Sequence, residues 1–241
     1  MTLVEHLEEL RYRLIVSIVA VLVGGAVGWF LFDGLVDVLQ RPYCDYWRTV
    51  PEELRVNEEC SFFFSGALEP AVIKLKLVAF MGLFFALPIV LYQLWSFVVP
   101  GLTKRERRLA IPFVISSVLL FALGAGFAYW TLPRALEFLL GFAGTNFVPL
   151  LTGDRFFSFV LLVALSFGVA FEFPIVLVFF QAAGVITTQQ LRQWRRGAIL
   201  SIAIFAAVIT PSSDPYTMLA MSVPMWVFYE LAILVGRFLR R

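Results

Sequence analysis

Long charge-free runs separated by short polar knots set the pattern of this chain. Leu14 to Phe32, Leu77 to Thr103 and Leu109 to Pro133 contain no Asp, Glu, Lys or Arg. A fourth run, from about Phe156 to Ala183, is interrupted by Glu172 and Pro174, and two shorter ones follow, Gly197 to Ser213 and Tyr216 to Tyr229. At 1.5 Å per residue, Leu14 to Phe32 reaches roughly 28 Å, close to the thickness of a bilayer's hydrocarbon core. The last two runs reach only about 25 Å and 21 Å. This pattern predicts an all-α polytopic membrane protein with six transmembrane helices, the last two short, and residues 1–241 forming a single transmembrane domain. Before the first span, leucines at 3, 7, 10 and 14 predict an amphipathic lead-in over residues 1–13. The remaining segments are expected as an acidic cap loop over 33–69, helical from about Asp33 to Leu39, and connections at 103–108, 134–155 and 188–196. The third span is expected to stop at Pro133-Arg134.

Composition excludes a large soluble unit. Hydrophobic residues make up 61% of 241 positions and charged ones 15%, with a mean hydropathy of +0.88, which is the range of membrane proteins. The net charge of +2 conceals an asymmetry that fixes an expected orientation. With six spans, twelve Lys and Arg fall on the side of the termini and seven on the other, while acidic residues divide four against eleven. The positive-inside rule then places both termini in the cytoplasm and the 33–69 cap outside. Cys44 and Cys60 would lie in that cap, where an oxidising compartment favours a disulfide; two free thiols are the alternative.

Candidate chemistry is sparse. His6 is the single histidine, so no catalytic Ser-His pair, no multi-His metal site and no cofactor site is expected, and the chain is not read as an enzyme or a nucleic-acid binder. Glu172 lies within an apolar run and must be neutral, paired or open to a water-filled cavity. It is either a functional intramembrane polar group or a structural one bonded to Gln93, Gln181 or a Ser/Thr. Asp214, between Pro211 and Pro215, reads most simply as a cap for the last helix. Glu9 and Glu106 fall on the same membrane face in segments flanking the first pair of spans. Two such carboxylates suit a ligand with adjacent guanidinium groups, because arginine makes forked pairs that lysine cannot.

The stretches His6-Leu7-Glu8-Glu9-Leu10-Arg11-Tyr12-Arg13-Leu14, Leu91-Tyr92-Gln93-Leu94-Trp95-Ser96-Phe97, Pro100-Gly101-Leu102, Lys104-Arg105-Glu106-Arg107-Arg108, Phe127-Ala128-Tyr129, Phe171-Glu172-Phe173-Pro174 and Thr210-Pro211 with Asp214 resemble the TatC family, the multispanning receptor of the twin-arginine protein translocase. The resemblance covers essentially the whole chain. It implies a glove-shaped, six-helix receptor that binds twin-arginine signal peptides of folded precursors at the cytoplasmic face of a bacterial plasma membrane, a thylakoid membrane being the alternative. It further implies recruitment of single-span TatA/TatB-type partners, assembly into an oligomer and export driven by the proton-motive force. By that resemblance Glu9 and Glu106 bind the signal, with Phe97, Leu102 and Arg11 nearby. Pro42 is a structural proline of the first outer loop and Glu172 the intramembrane glutamate. Met218 occupies a position where the family commonly carries glutamine. A proton-coupled small-solute transporter using Glu172 is the competing reading.

Overall fold

The computed structural model describes residues 3–51, 60–98, 110–141, 151–210 and 214–239. Among them are helices α1 (Leu3–Phe30), α2 (Phe32–Thr49), α3 (Glu69–Val98), α4 (Ala110–Gly141), α5 (Gly153–Phe171), α6 (Phe173–Ala182), α7 (Thr188–Gln193), α8 (Arg195–Ile209) and α9 (Pro215–Leu239). No strand is present among these residues beyond an isolated parallel bridge between Phe63 and Thr152. Five helical segments are long and apolar enough to cross a membrane: α1, α3, α4, α5 joined to α6, and α9. With 15 residues, α8 extends about 22 Å and is shorter than a usual span.

Helix α5 is the inner helix of the bundle. Eleven of its 19 residues are buried, including Phe156, Phe157, Val160, Phe167 and Phe171, and they bridge a cluster shared with α2, α3 and α4 to one shared with α6, α8 and α9. In contrast, α1 leaves Leu14, Ile15, Ile18, Val19, Leu22 and Val23 exposed, as a helix facing lipid requires. Helix α1 instead holds to α3 through glycine. A Cβ on Gly82 would stand 2.5 Å from the Val21 carbonyl oxygen, and one on Gly24 2.7 Å from the Gly82 carbonyl oxygen. Without side chains the two backbones come into direct contact, which is how helices gain packing where no hydrophobic drive separates protein from lipid.

Several expected boundaries move. The 33–69 cap is mostly helix at its start, because α2 continues through Pro42 to Thr49 rather than stopping near Leu39. Pro42 has no N–H to give the Val38 carbonyl, and the Tyr129 hydroxyl of α4 donates to that oxygen instead at 2.9 Å. Helix α4 runs past Pro133 to Gly141, so the 134–155 segment begins as helix. Leu132 and Leu136 are buried in one cluster with Leu39 and Tyr43 of α2, and that packing outweighs the proline. The 188–196 connection contains α7, opened by a capping box between Thr187 and Gln190. Of the last two elements only α8 is short. Helix α9 does not stop near Tyr229, because Glu230 is paired with Arg195 of α8 and Gly236 fits beneath Gln181.

Cys44 and Cys60 form a disulfide, with Cα atoms 5.5 Å apart, that ties the end of α2 to the 60–64 segment. Beside it, Glu69 in the first turn of α3 accepts the Asp154 backbone N–H of α5 at 3.0 Å. The Asp154 carboxylate in turn receives Lys76 of α3, which also donates to Ser158 at 2.9 Å.

Replacing Gly82 by leucine forces α1 away from α3. Thermal unfolding in detergent is expected to show destabilisation of about 1–3 kcal/mol, the range for overpacked sites, whereas the same change at exposed Gly34, whose Cβ would meet nothing within 4 Å, leaves the transition in place.

Candidate functional site

Glu9 sits two turns into α1, on the face turned toward the end of α3. The Nε–H of Arg13, one turn further along, donates to its Oε1 at 3.0 Å, and an Nη–H of Arg13 converges on the same oxygen. Arg13 reaches across with its other Nη to donate to Gln93 Oε1 of α3 at 3.1 Å. No described residue bonds Glu9 Oε2. The Glu9 and Arg13 side chains are 21% and 20% exposed, so this pair is far better shielded than an ordinary surface pair. One turn before Glu9, the His6 ring stacks on Phe97, with centroids 4.5 Å apart. A carboxylate, a guanidinium, an amide and two stacked rings thus gather where α1 begins and α3 ends. Arg11 lies exposed on α1, two residues from both Glu9 and Arg13 and so on another face of the helix. Glu106 and Leu102 lie outside the described residues.

A second polar point lies deeper. Glu172 separates α5 from α6 and keeps helical dihedrals, φ −71° and ψ −19°. Its carbonyl accepts N–H groups from Ile175 and Val176, and its own N–H turns to the carbonyls of Val169 and Ala170, the latter being the one that Pro174 has no N–H to meet. The carboxyl atom Oε1 is buried and has no hydrogen-bond partner among the described residues. Ser117 of α4 lies alongside it, fully buried, and accepts the Trp95 indole N–H of α3 at 3.0 Å. With one lone pair engaged by Trp95, the Ser117 hydroxyl keeps its own hydrogen to offer the glutamate. Neither Gln93 nor Gln181 reaches Glu172: Gln93 holds Arg13, and Gln181 donates to the Ala232 carbonyl at 2.9 Å while accepting from Thr188 at 3.1 Å.

Asp214 is buried and accepts the Thr217 N–H at 2.8 Å, with Pro215 at the first position of α9; it acts as an N-cap with an adjacent proline. Met218 packs on the apolar cluster around Met221 and Met225, so this position supplies an apolar contact. Pro42 and the disulfide belong to the opposite end of the bundle. Among the described residues, no group of three or more His, Cys, Asp or Glu could hold a metal.

Sequence reading reached Glu9 but not the roles of Gln93, His6 and Ser117. Gln93 is 80 residues from Arg13, and no local pattern marks a partner at that separation.

Residues 5–224 match the model of the family described as Sec-independent protein translocase protein (TatC). The chain is 43% identical over 239 residues to the Sec-independent protein translocase protein TatC of Frankia casuarinae, covering 98% of this chain but 65% of that longer protein. It is 39% identical over 244 residues to the protein of the same name from Aquifex aeolicus, covering 100% of this chain and 97% of the relative. A crystal structure of the twin-arginine translocase receptor TatC superposes with a TM-score of 0.78 at 38% identity, covering 98% of this chain and 100% of that one.

Ser117→Ala removes the acceptor of the buried Trp95 N–H and the polar neighbour of Glu172. Thermal unfolding is expected to show a loss of about 1–3 kcal/mol, the cost of stranding a buried polar group, and Ser117→Thr is expected to recover part of it.

Proposed function

Because the chain belongs to the TatC family of Sec-independent protein translocase proteins, we propose that it is the receptor subunit that captures twin-arginine signal peptides of folded precursors. Glu9 and Glu106 are the carboxylates that take the paired guanidiniums, with Phe97, Leu102 and Arg11 completing the surface. The observation that carries this reading is the state of Glu9: a carboxylate only 21% exposed, held from one side by Arg13 through Oε1, with Oε2 left to a second guanidinium. Charge-assisted pairing at such a site is stronger than at an open surface, and the planar fork of arginine fits it where the point charge of lysine does not.

The membrane embedding of the chain follows from its five long apolar helices and its family. We place the α1 start on the cytoplasmic face of a bacterial inner membrane and α2 outside. Two features support this orientation: the Lys and Arg excess on the side of the termini, and the Cys44–Cys60 disulfide, which belongs in an oxidising compartment. Assembly with single-span TatA/TatB-type partners, several copies together, and export driven by the proton-motive force complete the proposal.

Photocrosslinking tests it. With a photoreactive residue at exposed Leu94, one turn before Phe97 on α3, an Arg-Arg precursor is expected to crosslink several-fold more than its Lys-Lys counterpart. Glu9→Gln or Glu106→Gln is expected to reduce the Arg-Arg product toward the Lys-Lys level. Equal labelling by both precursors, in the wild type and in both variants, would overturn the assignment.

A further inference from the structure

The end of the bundle remote from Glu9 holds a cavity of about 550 Å³, inside the range of small-ligand sites. Its floor is apolar, formed by Phe62, Ile73 and Phe157, and its rim carries Asp33 and Asp37 of α2 and Lys74 of α3. None of these three charged groups makes an ion pair among the described residues. Lys76, on the same stretch of α3, is engaged by Asp154, whereas the Lys74 ammonium stands over the rings of Trp29 and Phe32, 4.2 Å and 5.0 Å from their centroids. Those rings attract the cation without neutralising it. Asp33 and Asp37, four residues apart, share one face of α2. The site therefore offers one positive and two negative charges at the edge of an apolar hollow.

The surroundings fix what kind of molecule meets that arrangement. Phe32 follows the end of α1, Pro70 opens α3 and Gly153 opens α5, so the cavity opens at the level where apolar helix gives way to polar chain. Close in sequence to the lining residues Phe32 and Pro70, Phe30 is 86% exposed and Leu68 79% exposed, and Trp29 is 52% exposed. In a chain that spans a membrane such large apolar side chains are covered by hydrocarbon, and tryptophan marks the headgroup level.

We propose that this cavity seats an aminophospholipid of the adjoining leaflet, a molecule carrying a primary ammonium, a phosphodiester and acyl chains. The ammonium lies between Asp33 and Asp37, the phosphodiester against Lys74, and the first acyl segment on Phe62, Ile73 and Phe157. The lipid would then fill the space between the disulfide-tethered cap and the start of α3. The site is independent of signal recognition, since it lies at the other end of the bundle.

Native mass spectrometry of the full chain released from detergent, after incubation with an equimolar mixture of phosphatidylethanolamine, phosphatidylcholine and phosphatidylglycerol, tests this. The ethanolamine lipid is expected to be retained roughly five- to tenfold over the glycerol lipid, as two partly shielded charge contacts allow, with the choline lipid between them. In the double variant Asp33→Asn with Asp37→Asn that preference is expected to vanish, and Lys74→Gln is expected to weaken retention of all three lipids. Arg48→Gln, at an exposed pair elsewhere on α2, serves as the control and is expected to behave as wild type. All four proteins are checked for the same unfolding temperature. Equal retention of the ethanolamine and glycerol lipids by the wild type, or a preference that survives in the double variant, overturns the proposal.

Discussion

A carbonyl that loses its helical donor needs another, above all where no water can reach it, and the arrangement of this bundle depends on how each such loss is covered. Pro42 takes a donor from Val38, and Tyr129 of α4 supplies another. Helix α8 stops after 15 residues, and its end is closed by Ser166 of α5, which donates to the Ile209 carbonyl at 3.3 Å, and by Thr210, whose hydroxyl turns back to the Ala206 carbonyl at 2.8 Å. At Glu172 the chain covers the break itself: Pro174 has no N–H for the Ala170 carbonyl, and the Glu172 N–H turns to that oxygen instead. The donors at the first two sites come from α4 and α5, the helices at the middle of the bundle. Irregular elements are therefore tolerated where these helices can reach them.

Side-chain volume sets the second constraint. Helix α1 contributes few buried residues and depends on backbone contact at Gly24 and Gly82 to stay with α3. That contact places the start of α1 against the end of α3, and only this register allows Arg13 to reach Gln93 and His6 to reach Phe97. The candidate recognition group is thus a consequence of glycine packing about three turns away. At the other end, the disulfide and the Glu69, Asp154 and Lys76 network bind the cap to the helix starts. One end is fastened by covalent and ionic links between elements, while at the other α1 is joined to α3 by one guanidinium and a pair of stacked rings.

The elements legible in the sequence were those whose signal is local. Leu14 to Phe32 reads as a span by length and absence of charge. The α5/α6 break is announced by Glu172 and Pro174 side by side. Asp214 before Pro215 announces a cap. What could not be read were outcomes decided by distant residues. Pro133 and Glu230 are both local stop signals, yet α4 and α9 continue through them, the first because Leu132 and Leu136 are buried with Leu39 and Tyr43 of α2 and the second because Arg195, 35 residues away, pairs with the glutamate. Gln93 was a candidate partner for Glu172 and serves Arg13 instead, a choice set by which helix face meets α1.

The geometry at Glu9 bears on why arginine, rather than positive charge in general, would be selected by the proposed receptor. A carboxylate already satisfied at one oxygen has lost much of its attraction for a second cation at long range, since Arg13 cancels its charge. What remains is directional: a lone-pair position at Oε2 beside a guanidinium that is itself anchored by Gln93. A visiting guanidinium can meet Oε2 with one N–H and still direct its others to a second carboxylate, because its donors diverge from a rigid plane. An ammonium brings equal charge but no fixed divergence, and it must shed more tightly held water to enter a site only one-fifth exposed. In the proposed receptor the internal ion pair would suppress nonspecific cation binding and leave discrimination to shape, which is why the proposal calls for a second carboxylate beside this one shielded glutamate.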